Sequence, residues 1–170
     1  MFILNEWLKE YLFSNKFSPI VTGQILSGNN GLYGDAETPY RNGAHWLIIV
    51  KSVLQNCDLT TGEKILLNQY IKNYLNDLNS VCIDNGPFLA RNCKKDKSNG
   101  LIGSAWILES LSFELDLLDI KDRAISISII QKLLKHYKFD MYKGYWPNVI
   151  EPDGEKLGLD RTFNHQLWFS

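Results

Sequence analysis

The sequence lacks the features that would tie it to a nucleic acid or a membrane. Its 170 residues carry 18 basic and 19 acidic side chains, and such a balance predicts no basic surface for nucleic acid or an anionic membrane. No stretch approaches the roughly 20 apolar residues that a membrane span requires. Glu6 lies within the first apolar turns and the start is not basic, which excludes a signal peptide. A cytoplasmic location is predicted.

Cysteine is scarce, and the usual cofactor motifs are missing. Cys57, Cys82 and Cys93 form an odd set without a C-x-x-C pair, which predicts reduced thiols. A disulfide between Cys82 and Cys93 is the alternative. The sequence has no phosphate loop, dinucleotide-binding glycine pattern, nucleophile elbow or zinc spacing. Neither a cofactor nor a metal is therefore predicted, although His45 and His165 with a carboxylate are a competing metal hypothesis.

The sequence does contain three similar stretches, each running from a polar segment into an apolar helix. They are Arg41-Asn42-Gly43-Ala44-His45-Trp46, Ser98-Asn99-Gly100-Leu101 through Ala105-Trp106, and Arg161-Thr162-Phe163-Asn164-His165-Gln166-Leu167-Trp168. Their tryptophans lie 60 and 62 residues apart. A period of that size holds two helices and their connections, so the pattern predicts a tandem array of helical hairpins.

Hydrophobic periodicity predicts an all-α chain with helices over 2–14, 39–56, 61–79, 100–118 and 121–138. Helices 39–56 and 100–118 are apolar nearly all round and are predicted to be inner helices, with Trp46 and Trp106 mostly buried. The other two are predicted to lie outside with one apolar stripe each. These stripes are Leu66, Tyr70, Tyr74 and Leu78 in one, and Ile127, Ile130, Leu134 and Tyr137 in the other. Thr60 and Glu63 fit a capping box.

The connections differ in length. Those from inner to outer helices are short, whereas segments 15–37, 80–100 and 139–160 are rich in turn formers and are predicted to be long loops. Antiparallel neighbours would gather these loops over the N-termini of the inner helices, which is the predicted site face. The last repeat stops two residues past Trp168, in an apolar helix. We therefore expect residues 1–170 to be one helical domain, the N-terminal half of a larger protein, able to self-associate through an exposed edge at 161–170.

Inner and outer helices repeating every sixty residues resemble the (α/α) toroid of six-hairpin glycosidases, polysaccharide lyases and sugar epimerases. The segments 34–42, 99–106 and 160–168 are similar to those of the AglQ-like proteins encoded in surface-glycan assembly clusters. Six hairpins need roughly 360 residues, so the resemblance implies an incomplete (α/α) toroid. It also implies a carbohydrate or sugar-derived small molecule as the partner.

The candidate site residues cluster at the starts of the predicted inner helices. Carboxylates and imidazoles there could act as general acid or base on a sugar, and an arginine could hold a uronate carboxylate or a phosphate. The predicted catalytic residues are Asp35, Glu37, His45, Asp160 and His165. The predicted substrate-binding residues are Arg41, Asn99, Trp146, Arg161 and Asn164. The spacing of Arg41 and His45 recurs in Arg161 and His165.

Each candidate also has a structural interpretation. Asp35 and Glu37 could complement a helix dipole or close a turn, Arg41 could pair with Glu37, and a histidine on an apolar helix could be a core residue. Three hypotheses follow: a toroid protein acting on a glycan or sugar intermediate as hydrolase, lyase or epimerase; a non-catalytic protein that binds a glycan or another protein; and an inactive truncated fragment.

Overall fold

The computed structural model describes residues 2–24, 38–81, 100–136, 149–150 and 156–157. The helices are α1 Phe2–Ser14, α2 Pro19–Thr22, α3 Thr38–Asn56, α4 Thr61–Val81, α5 Gly100–Ser112 and α6 Ile120–His136, with a 3-10 turn at Leu115–Leu117. Two strands of two residues each, β1 Val149–Ile150 and β2 Lys156–Leu157, pair antiparallel. Helix dominates the described part of the chain, so the predicted all-α class is confirmed.

Helix starts follow from local capping. The Thr60 backbone N–H donates to Glu63 Oε2 at 2.7 Å, and the Glu63 N–H donates to Thr60 Oγ1 at 3.2 Å. This is the predicted capping box, and the hydrogen bonds that the Glu63 carboxylate accepts from the Thr60 N–H and hydroxyl lower the pKa of Glu63. Asp119 Oδ1 accepts from the Asp122 N–H at 2.8 Å and so caps α6. Such caps explain why the starts of α4 and α6 lie within one residue of the prediction.

Three boundaries differ from the prediction. Helix α5 ends at Ser112 rather than at 118, because Glu114 adopts the left-handed conformation (φ 47°, ψ 50°) and the chain continues as the 3-10 turn. The predicted loop over 15–37 contains α2, which begins where Ser18 Oγ accepts from the Ile20 N–H. The third predicted loop contains the short β1–β2 pair. The second loop, 80–100, lies almost entirely outside the described residues.

The core is built mainly by α3, α4 and α5. Helix α3 packs against α1, α4 and α5, while α6 packs against α4 and α5. The fully buried side chains include Leu47, Val50, Leu75, Ile107 and Leu111. Trp46 and Trp106 are only partly buried, but both pack against this core as inner-helix residues, whereas Trp168 lies outside the described residues. No described helix is both long and apolar enough to cross a bilayer.

The predicted stripes of the two outer helices need correction. In α4, Leu66 is 51% exposed and Leu67 takes its place in the core, beside Tyr70, Tyr74 and Leu78. In α6 the error is larger, because Ile127 and Leu134 are exposed while Ile129 and Leu133 are fully buried. Tyr137 lies outside the described residues. Helix α6 has two apolar stripes, and packing against α4 and α5 selects the one that contains Ile129.

Candidate functional site

Most predicted site residues lie outside the described residues. This holds for Asp35, Glu37, Asn99, Trp146, Asp160, Arg161, Asn164 and His165, and for the cysteines Cys82 and Cys93. Arg41 belongs to α3, but its side chain is not among those described. His45 is the predicted site residue whose side chain is described, so its position marks the predicted site on the structure.

His45 is exposed on the second turn of α3. Its ring centroid lies 4.6 Å from that of Trp106 on α5, with the ring planes inclined at 53°. A tilted ring contact of this kind holds the imidazole against the indole face or edge. His45 is therefore a surface residue that contacts a neighbouring tryptophan rather than a buried core histidine.

The contacts between α3 and α5 define how the two inner helices run. Besides the His45–Trp106 contact, Lys51 Nζ donates to Ser110 O at 2.9 Å, and Gln55 Nε2 donates to Glu114 Oε2 at 2.9 Å. Partners on both helices advance together, with offsets close to the sixty-residue period. The helices are thus parallel, and their N-termini lie at the same end, as the repeat predicts.

A row of aromatic rings extends from α3 onto α1. The ring centroids of Trp7 and Tyr11 are 5.3 Å apart, and those of Tyr11 and Trp46 are 5.6 Å apart, with interplanar angles of 19° and 13°. Trp7 is 55% exposed at the outer end of the row. Tyr11 and Trp46 are half-buried, so the exposed ring of the row is that of Trp7.

Two buried tyrosines of α4 fix the first turns of α3. The Tyr74 hydroxyl donates to Tyr40 O at 3.0 Å, and the Tyr70 hydroxyl donates to Gly43 O at 3.0 Å. Burial raises the pKa of both phenols well above the ordinary value. Both tyrosines therefore stay neutral donors, and they hold the backbone that carries Arg41 and His45.

Lys51 is a buried residue that the sequence interpretation overlooked. Its side chain is fully buried in the middle of α3, where Nζ donates to the carbonyl oxygens of Ser110, Leu111 and Phe113 at 2.9, 3.4 and 2.6 Å. Burial lowers its pKa to about 8, although Glu114 partly opposes that shift. Its position four residues after Leu47 and seven after Ala44, on the core face of the helix, was the available signal.

The lysine lies six residues after His45, about 9 Å further along α3 towards its C-terminus. The three carbonyls belong to the C-terminus of α5, where a helix leaves acceptors without intrahelical partners. An ammonium group there satisfies them and complements the negative end of the helix dipole. Lys51 therefore joins α3 to α5 and fixes their register, and it lies away from the predicted site face.

Other described groups do not add a reactive centre. The Cys57 thiol is free and donates to Asn5 O at 3.2 Å, and burial, followed by Glu6, raises its pKa. A groove of about 140 Å³ lies between α2 and α4 and has an uncharged lining that includes Gln24, Gln69 and Asn73. In the described part of the chain, His, Cys, Asp and Glu side chains do not gather in threes as a metal ion would need.

Taken with the repeat, these contacts define an array of antiparallel helical hairpins with parallel inner helices and a row of stacked aromatic rings beside one of them. Over 150 residues, 87% of its length, the chain is 37% identical to Archaeal glycosylation protein Q of Haloferax volcanii. It spans 38% of that protein, so less than half of the relative's length is matched. No protein-family model and no solved structure matches the chain.

Proposed function

We propose that the chain is part of a cytoplasmic (α/α)-toroid protein that acts on a glycan or sugar intermediate in surface polysaccharide metabolism. The observation that carries the proposal is the 37% identity, over 150 residues, to a protein named for its part in archaeal glycosylation. An identity of that size over most of the chain makes a shared fold and a related role the economical explanation. The fold alone would not assign a function, since toroids support several.

The packing of the described helices supports a toroid. In such a ring, inner helices run parallel to one another and outer helices flank them, which matches the α3–α5 pair and the contact between α4 and α6. The matched 150 residues are 38% of the relative, so the relative is about 395 residues long. That length accommodates the roughly 360 residues of six hairpins.

The proposed site lies at the shared N-terminal end of the inner helices. Asp35 and Glu37 precede α3 in the sequence and would serve as general acid and base, with His45 of α3 and Asp160 and His165 of the third repeat as further catalytic candidates. The remaining residues would bind substrate. Arg41 and Arg161 would hold a carboxylate or phosphate of the sugar, and Asn99, Asn164 and Trp146 would contact its hydroxyls and ring.

A second candidate function is non-catalytic binding of a glycan. The observation that favours it is the row of stacked rings Trp7, Tyr11 and Trp46, of which Trp7 is exposed, together with the exposed His45 on the ring of Trp106. Rigid aromatic rings bind sugars without any acid–base chemistry. The two functions differ in whether the loop carboxylates are required for a reaction.

Mass spectrometry of incubations with nucleotide-activated sugars and with oligosaccharides would test the proposal. Wild type would be compared with Asp35→Asn and Asp160→Asn, and with Glu109→Gln as a control at an exposed position in the C-terminal half of α5. Turnover that disappears in the two aspartate variants but persists in the control supports the enzyme. Tryptophan fluorescence measures binding in the same proteins. Binding by a protein set in which no member shows turnover supports the second function. Neither binding nor turnover would contradict both.

A further inference from the structure

We draw no further inference here: the strongest candidate, the groove of about 140 Å³ between α2 and α4, has a largely apolar and uncharged lining, and nothing in the part of the chain that the structure describes shows what covers it.

Discussion

The two outer helices, α4 and α6, occupy similar places in the fold but use their side chains in opposite ways. Helix α4 buries six large apolar residues on one face, leaves Ile65 and Leu66 exposed near its start, and pairs both of its buried hydroxyls with carbonyls of α3. Helix α6 buries a mixed face that includes Asp122 and Ser126, and its exposed aliphatic side chains are spread along its length. The two helices therefore differ most in how apolar, and how well hydrogen-bonded, their buried faces are.

The strongest test of this comparison is to truncate one leucine on each helix. Leu75 on α4 is fully buried and Leu134 on α6 is 49% exposed. Leu75→Ala should lower the free energy of unfolding by about 2–5 kcal/mol, because it removes buried surface and leaves a cavity. Leu134→Ala should change it by less than about 0.5 kcal/mol. Urea denaturation measures both, and similar losses would mean that Leu134 is covered within the chain.

The second prediction concerns the Lys51 ammonium in the α3–α5 interface. It tests whether this group is as well hydrogen-bonded as the tyrosine hydroxyls of α4. Lys51→Met removes the donor to three carbonyls of the α5 C-terminus. These acceptors would be left without that partner in the interior, so the unfolding free energy should fall by about 2–4 kcal/mol at pH 7. Unfolding curves of Leu54→Met, a half-buried position on the same helix, provide the control.

The third prediction concerns how the difference in unfolding free energy between wild type and Lys51→Met depends on pH. Burial holds the pKa of Lys51 at about 8 in the folded chain, below the ordinary 10.5. Between these two values the unfolded chain binds more protons, so this contribution to stability rises with pH. The gap between wild type and Lys51→Met should therefore widen from pH 8 to pH 10.5, by about 3 kcal/mol at most. A constant gap across that window would show that the ammonium is not destabilised by burial.

The hydroxyls of α4 should contribute less than these groups. Tyr74→Phe removes the hydrogen bond to Tyr40 O and leaves the ring in place. We expect a loss of about 1 kcal/mol in the free energy of unfolding. Tyr11→Phe, where the contact with Trp46 is made by the ring, should change stability much less. A Tyr74→Phe protein as stable as wild type would mean that the two outer helices do not differ in polar pairing.

Local signals were sufficient to predict most of the helices. Helix α1 has the predicted bounds, and α3, α4 and α6 agree within two residues at each end, since turn formers and caps act over a few residues. The end of α5 could not be foreseen. Phe113, Leu115 and Leu118 continue the apolar pattern, and the break is a left-handed Glu114, a conformation for which a sequence usually supplies glycine or asparagine.

Which face of a helix is buried depended on its neighbours as well as its pattern. Helix α6 has apolar residues on two sides, so periodicity allowed either side to face the core. Lys51 was missed because a lysine is expected at the surface unless buried acceptors are known to pair with its ammonium. The sequence does not show that the C-terminus of α5 supplies such acceptors. Of the candidate site, the exposure of His45 and its contact with Trp106 could be compared with the prediction, and the remaining site residues stay predictions.

The smallest expected effect compares a buried hydroxyl of the outer helix α6 with one of the inner helix α5. Ser126 of α6 is fully buried, and its Oγ has no hydrogen-bond partner within the described part of the chain. Ser110 of α5 is equally buried, but its Oγ donates to Ile107 O at 2.9 Å. An unpaired buried hydroxyl costs free energy that alanine would not. Ser126→Ala should therefore stabilise the chain by up to about 1 kcal/mol.

Ser110→Ala is the matched change at a paired hydroxyl, and it should destabilise the chain by about 0.5–1 kcal/mol. Thermal unfolding of both variants and wild type in parallel gives the sign of each change in stability. The two signs should be opposite, and a sign is less sensitive to systematic error than the size of either change. Two variants that shift stability in the same direction would contradict the comparison. In that case the buried hydroxyl of Ser126 on α6 is satisfied as fully as that of Ser110 on α5.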